Sequence, residues 1–178
     1  MVKYLANLWL KLRVSWSNYR NRDNIVNIAV DEKINIAYSL ASLGHAWYSN
    51  FEYTSDGIRD LFDSMRFPAE CYYKIKTSIF KDDCDGFHAA LYHVATQNKL
   101  DAYLLTYVNT TLIKSHTVVL IKQLNKYWVV DYTTMISDDT LSGVIDKVLK
   151  RRNVELLTYN LVKFNYNKGK YETVEEEI

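Results

Sequence analysis

Proline is almost missing from this chain: Pro68 is the single one in 178 residues, so no Pro-rich linker divides it. Cysteine is nearly as scarce. Cys71 and Cys84 are too few for a disulfide scaffold, and their separation is not that of a zinc knuckle. No run reaches the ~18 apolar residues of a membrane span. The N-terminus lacks the unbroken apolar stretch and small-residue cleavage site of a secretory signal, so a reducing cytosolic setting is expected. In that setting the reactivity of a thiol matters more than its pairing. Net charge is only +1, which argues against a nucleic-acid partner. There is no Gly-rich phosphate loop, internal repeat or low-complexity tract. His88 and His93 are spaced five apart rather than the four that aligns two imidazoles on a helix for zinc. Neither a metal nor a cofactor is expected.

What is present is a globular composition, 48% apolar, with fifteen tyrosines, six phenylalanines and four tryptophans. Tyrosine buries area while keeping a polar tip, which suits core edges and grooves. Charge is uneven along the chain. Residues 1–22 carry Lys3, Lys11, Arg13, Arg20 and Arg22 with no acid, whereas Glu172, Glu175, Glu176 and Glu177 crowd the other end. Such runs read first as solvated ends.

Hydrophobic spacing predicts a helix over 2–20, with Val2, Leu5, Trp9, Leu12 and Trp16 on one face packed on the domain, a partner or a membrane surface. A second helix is predicted over 32–49, with a stop or bend at Gly44. A short helix capped by Asp56 should run across Ile58, Leu61, Phe62 and Met65, and another should start at Pro68. Lys81 to Asp83 read as a polar break. Cys84 to about Asn98 reads as a helix capped by Asp82 or Asp83. The pattern then turns strand-like over 102–108, 116–123 and 127–132, with a tight turn at Leu124-Asn125-Lys126. A helix over 142–152 and a hairpin around Asn167-Lys168-Gly169 complete the chain. Helices first and antiparallel strands afterwards indicate an α+β fold, divided into an N-terminal helix and connector (1–30) and a catalytic domain (31–178).

The candidate chemistry starts at Asp82-Asp83-Cys84-Asp85-Gly86-Phe87. A helix N-terminus favours thiolate through its dipole, but the neighbouring aspartates oppose it, so a histidine base is needed. Of the four histidines, His116 opens a strand whose hairpin partner ends at Asp131. A turn near Asn125 places residues 116 and 131 across from each other, where a carboxylate can orient an imidazole. His88 can reach the cysteine side but lacks an orienting third group, and Cys71 reads as buried and inert.

The run Asp82-Asp83-Cys84-x-x-Phe87-x-x-x-Leu91, then Ser115-His116-Thr117-Val118, then Trp128-Val129-Val130-Asp131-Tyr132-Thr133 resembles transglutaminase-like cysteine peptidases of bacterial and phage type. The likeness covers roughly residues 50–134 and is weak upstream of the cysteine. It departs at Thr117-Val118, where relatives often have Ala-Trp, and at Asp82, often glycine. The resemblance implies a papain-like core with the cysteine helix packed on an antiparallel sheet. It implies a Cys84–His116–Asp131 triad, a thioester intermediate, a peptide or protein amide substrate, and a second oxyanion donor from Tyr53 or Trp47. It places the protein in a bacterial or phage-infected cytoplasm. Three alternatives stay open: a transglutaminase or deamidase; a cell-wall cysteine peptidase, whose Asp-Cys-Ser-Gly-Phe motif is similar to residues 83–87; and a non-catalytic binding or virion-assembly module acting through residues 2–20.

Overall fold

The computed structural model describes residues 1–54, 64–110 and 115–174. Its elements are α1 (Val2–Arg20), α2 (Ala37–Tyr48), β1 (Phe51–Tyr53), α3 (Pro68–Thr77), β2 (Phe80–Asp82), α4 (Cys84–Gln97), β3 (Asp101–Asn109), β4 (Ser115–Gln123), β5 (Lys126–Asp131), β6 (Thr134–Asp138), α5 (Leu141–Arg152), β7 (Leu156–Asn165) and β8 (Lys170–Val174). Six strands form an antiparallel sheet in the order β6-β5-β4-β3-β7-β8, and β1 and β2 pair in parallel. The predicted helix from Asp56 lies outside the described residues except for Met65, which is buried in the core.

Alternation along the strands divides the apolar residues between two cores. Leu104, Val119, Ile121, Val130 and Val162 meet helices α1 to α4 on one face. Leu105, Val118, Leu120, Val129 and Leu161 meet Val144, Ile145, Val148 and Leu149 of α5 on the other. The central strands are therefore buried on both sides, which is why β3 and β4 read as near-continuous apolar runs. Helix α4 is buried from Cys84 to Ala95 and lies directly on the sheet. Pro68 stands in the first turn of α3, where its missing N–H costs nothing.

Three sequence expectations change. First, α2 starts five residues later than predicted, because side chains hold the preceding segment extended. Asn98 accepts from the Ile34 N–H (3.1 Å) and donates to the Glu32 carbonyl (2.9 Å); Gln123 does the same for the Ala37 N–H (3.2 Å) and the Asn35 carbonyl (2.6 Å). Gly44 does not stop the helix. A Cβ there would lie 2.3 Å from the Tyr132 carbonyl oxygen, so glycine lets α2 pass close to the end of β5. Second, β2 (Phe80–Asp82) overlaps the polar break at 81–83, and β1 and β6 were not foreseen. These are short strands of three and five residues with little alternation to read.

Third, α1 presents the opposite face. Leu10, Arg13, Val14 and Ser17 face the protein, whereas Leu5 is 55%, Leu12 58% and Trp16 42% exposed. Polar pegs fix this rotation. Arg13 donates to Asp85 at 2.9 Å with both side chains buried. Ser17 Oγ accepts from the Met65 N–H (2.9 Å), and Asn18 bonds both backbone groups of Tyr171. Removing Arg13 would strand a buried carboxylate. Arg13→Met should therefore cost about 3–5 kcal/mol in urea unfolding, and Asp85→Asn in the same background should recover much of it. A loss below about 1 kcal/mol would show that Asp85 does not depend on this partner.

Candidate active site

Cys84 is the first residue of α4, and the Asp83 side chain caps the helix by accepting from the Asp85 N–H at 3.0 Å. Two of the three neighbouring carboxylates are paired with arginines. Asp82 pairs with Arg66 Nε at 2.8 Å, and Asp85 pairs with Arg13. These two pairs offset part of the negative charge beside the thiol, which sits at the positive end of the helix. Cys84 retains 9% exposure, whereas Cys71 has none, and burial pushes the Cys71 thiol far above its ordinary range. Gly86 is required here, since a Cβ would meet the Asp82 carboxylate at 2.5 Å.

His116 and Asp131 come together at the end of the sheet. The turn has only two residues, Leu124 and Asn125, both at positive φ, and Gln123 pairs with Lys126. The turn is centred one residue later than a direct pairing of 116 with 131 requires. Val119 pairs with Val130, so the next step sets Val118 opposite Asp131 and leaves His116 on the diagonal. A diagonal neighbour is within reach of a long side chain, and His116 Nε2 lies 2.9 Å from Asp131 Oδ1.

Asp131 is also held by a residue that sequence reading missed. Arg152, the last residue of α5, donates through Nε to Oδ2 (2.9 Å) and through Nη2 to Oδ1 (2.8 Å). This is the two-pronged geometry that guanidinium matches to carboxylate. Burial alone would raise the Asp131 pKa; the His116 hydrogen bond and the charges of His116, His88 and Arg152 outweigh it and hold it well below the carboxylate range. An ionised carboxylate only accepts, so Nε2 of His116 carries the proton and Nδ1 keeps its lone pair. Burial pushes the His116 pKa down, against the upward pull of Asp131.

His88 is fully committed elsewhere. Its Nδ1 lies 2.6 Å from the Cys84 carbonyl oxygen and its Nε2 accepts the Tyr132 N–H at 2.9 Å. Burial lowers its pKa to about 3, so its 3.7 Å approach to Asp131 is not an ion pair. It acts as a strut between the cysteine turn of α4 and the residue after Asp131. Tyr132 takes φ 52°, a left-handed conformation that is costly for a tyrosine. This turn carries its ring against Phe87 (5.2 Å), His88 (4.7 Å) and His116 (6.0 Å).

A cleft of about 270 Å³ opens over His116, lined by Tyr48, Phe51, Tyr53, Tyr132 and Arg152. Of the two residues expected as second donors, Tyr53 is at this cleft and 60% exposed. Trp47 is not: it is 7% exposed and packs against Tyr72, while its neighbour Tyr48 turns to the cleft. Tyr107 was also unforeseen. It pairs across from His116 in β3–β4, with ring centroids 5.6 Å apart. Its buried hydroxyl has no hydrogen-bond partner among the described residues, and the charges of Arg152, Asp131 and Cys84 all act on it. Burial, and then the charge of Cys84, act likewise on Tyr132. His116 thus has the rings of Tyr107 and Tyr132 as neighbours.

Asp82, Asp83 and Asp85 have ligand atoms within 4.8 Å of one another. Their oxygens already serve Arg66, the Asp85 N–H and Arg13, so the cluster is organised as a helix start.

No protein-family model and no curated protein matches the chain. Among solved structures it is similar to a candidate cysteine protease from Cytophaga hutchinsonii, with TM-score 0.43 and 12% identity over 85% of this chain. The chain covers 42% of that protein's length.

The site imposes an acid limit on stability. His88 titrates at about 3 when folded and ~6.5 when unfolded. In that window the unfolded chain holds a proton that the folded chain lacks, so stability falls as pH drops, by on the order of 1.4 kcal/mol per unit. The lowered His116 adds in the same direction, and Asp131 adds a further loss below ~3.9. Urea unfolding across this range should show the decline, and His88→Gln should make it shallower by about one proton. An unchanged slope in the variant would assign the titration to another group.

Proposed function

We propose that the protein is a cysteine acyl-transfer enzyme acting on peptide or protein amides, with Cys84 as nucleophile, His116 as base and Asp131 as its orienter. The observation that carries this reading is the His116–Asp131 hydrogen bond, which leaves Nδ1 as the ring's proton acceptor; His88 ties the cysteine turn of α4 to the residue after Asp131, which supports the same grouping. The order of these residues, and their resemblance to transglutaminase-like peptidases with a papain-like core, agree with it.

In the reaction, Nδ1 of His116 takes the thiol proton and Cys84 Sγ attacks the amide carbonyl carbon. A C–S bond forms as the carbonyl π pair moves to oxygen. The positive end of α4, with the Cys84 backbone N–H, faces that oxyanion. Tyr53, exposed at the cleft over His116, is the candidate second donor. Collapse breaks the C–N bond, and the leaving amine takes the proton from His116. Water then gives a proton to His116 and attacks the thioester, releasing a carboxylic acid and restoring the thiol. An amine in place of water would yield a new amide, the cross-linking variant of the same chemistry. Arg152 keeps Asp131 ionised, so the carboxylate never competes for the proton. The aromatic cleft walls suit an extended peptide whose apolar side chains stack on tyrosine.

The test is labelling and turnover in parallel. Iodoacetamide at neutral pH should modify Cys84 and spare Cys71, seen as a single mass increment that Cys84→Ala abolishes and Cys71→Ala preserves. With a peptide substrate found by library profiling, His116→Ala should lower kcat/KM by roughly 10²–10⁴-fold. Equal labelling of both cysteines, or of neither, contradicts the enzyme and favours a binding module that keeps the fold.

A further inference from the structure

Half of the exposed large hydrophobic side chains of the described residues lie in residues 1–19. On α1 they do not scatter. Tyr4, Leu5, Leu8, Leu12, Trp16 and Tyr19 recur at three- and four-residue steps, so they form a continuous stripe along the helix. The stripe lies opposite the buried Leu10, Arg13, Val14 and Ser17. The helix cannot roll to hide it. The Arg13–Asp85 pair, the Met65 N–H donated to Ser17 and the two hydrogen bonds between Asn18 and the backbone of Tyr171 lock the rotation. The outward apolar face is thus a fixed feature of the folded protein.

Charge identifies what covers it. Residues 1–22 hold no acid; with Arg13 spent on Asp85 and Arg22 paired with the exposed Asp23 at 3.6 Å, the cations left in the segment are Lys3, Lys11 and Arg20, all exposed. Lys11 borders the stripe on the Tyr4 side and Arg20 on the Trp16 side, by the ~100° turn per residue of a helix. Among the described residues, the groove beside α1, bounded by Lys3, Asn7, Lys11, Thr158, Asn160 and Thr173, has no carboxylate in its lining. Trp16 and Tyr19 stack at 5.9 Å, and Arg22 lies over Tyr19 at 4.9 Å. Apolar surface flanked by long cations, with amphipathic aromatics at one end, matches the boundary between headgroups and acyl chains of an anionic leaflet. We propose that the outward face of α1 docks the folded protein onto an anionic lipid surface. This reading is independent of the thiol chemistry.

The test is flotation of the full chain with vesicles of phosphatidylcholine alone and of phosphatidylcholine mixed with phosphatidylglycerol. Binding is expected to the mixed vesicles only, weakening as salt is raised. Lys3→Gln, Lys11→Gln and Arg20→Gln should each weaken it by roughly five-fold, the ~1 kcal/mol per basic residue expected at such a surface. Leu5→Glu with Leu12→Glu should abolish it. These side chains are exposed, so thermal melts should stay unchanged; if the paired variant unfolds, the three charge variants decide alone. Absence of flotation overturns the proposal, as does binding indifferent to lipid charge and to all these variants. Sedimentation velocity without lipid supplies the remaining outcome. A dimer dissolved by the Leu→Glu pair, with no flotation, assigns the face to a second copy and overturns the lipid reading.

Discussion

A single buried carboxylate organises the end of the sheet. Asp131 is 7% exposed, and a charge so placed is unfavourable unless neighbours neutralise and hydrogen-bond it. Those neighbours come from separate parts of the chain. His116 arrives from β4, and Arg152 arrives from the last turn of α5 across the opposite core. The next residue, Tyr132, gives its N–H to His88 on α4. Satisfying one carboxylate therefore aligns a hairpin, the helix on one face of the sheet and the helix that starts at Cys84. The arrangement also decides protonation, because a permanently charged guanidinium keeps the carboxylate an acceptor, and an acceptor fixes which ring nitrogen of His116 bears hydrogen.

The start of α4 shows the same economy. Three aspartates surround a cysteine whose proposed role needs a favourable field for sulfur. Two of them are bound by Arg66 and Arg13, and the third caps the helix. Arg13 comes from α1, so the N-terminal helix shares the core and helps to neutralise the cysteine turn. The same anchoring turns the apolar stripe of α1 outward. The interior charge pairing of the site and the exterior character of the helix are thus two sides of one constraint.

Much of this was legible in the sequence where local signals and tertiary contacts agree. The helix from Cys84, the main strands and the proximity of His116 to Asp131 follow from periodicity and one tight turn. The register was misjudged because the turn of Leu124 and Asn125 is centred one residue later than a direct pairing of 116 with 131 requires, which leaves His116 on a diagonal. The stripe of α1 was readable but its direction was not: spacing identifies a face, while Arg13, Ser17 and Asn18 choose which way it points. Arg152 sits in a Lys-Arg-Arg run that reads as a basic helix end, and no spacing links it to Asp131. His88 lacked a visible partner because its partners are backbone groups of Cys84 and Tyr132. Tyr107 had a weak signal, since a strand before His116 must place some residue across from it.

The central claim is that the Asp131–His116 pair sustains an ionisable thiol at Cys84, and the thiolate's own titration measures it most directly. Ultraviolet absorbance of the thiolate, followed against pH in a Cys71→Ser background, should give a midpoint below the ~8.5 of a free cysteine. That midpoint should rise when His116 is replaced by Gln or Asp131 by Asn. A midpoint at or above the free value, unmoved by either substitution, would contradict the account.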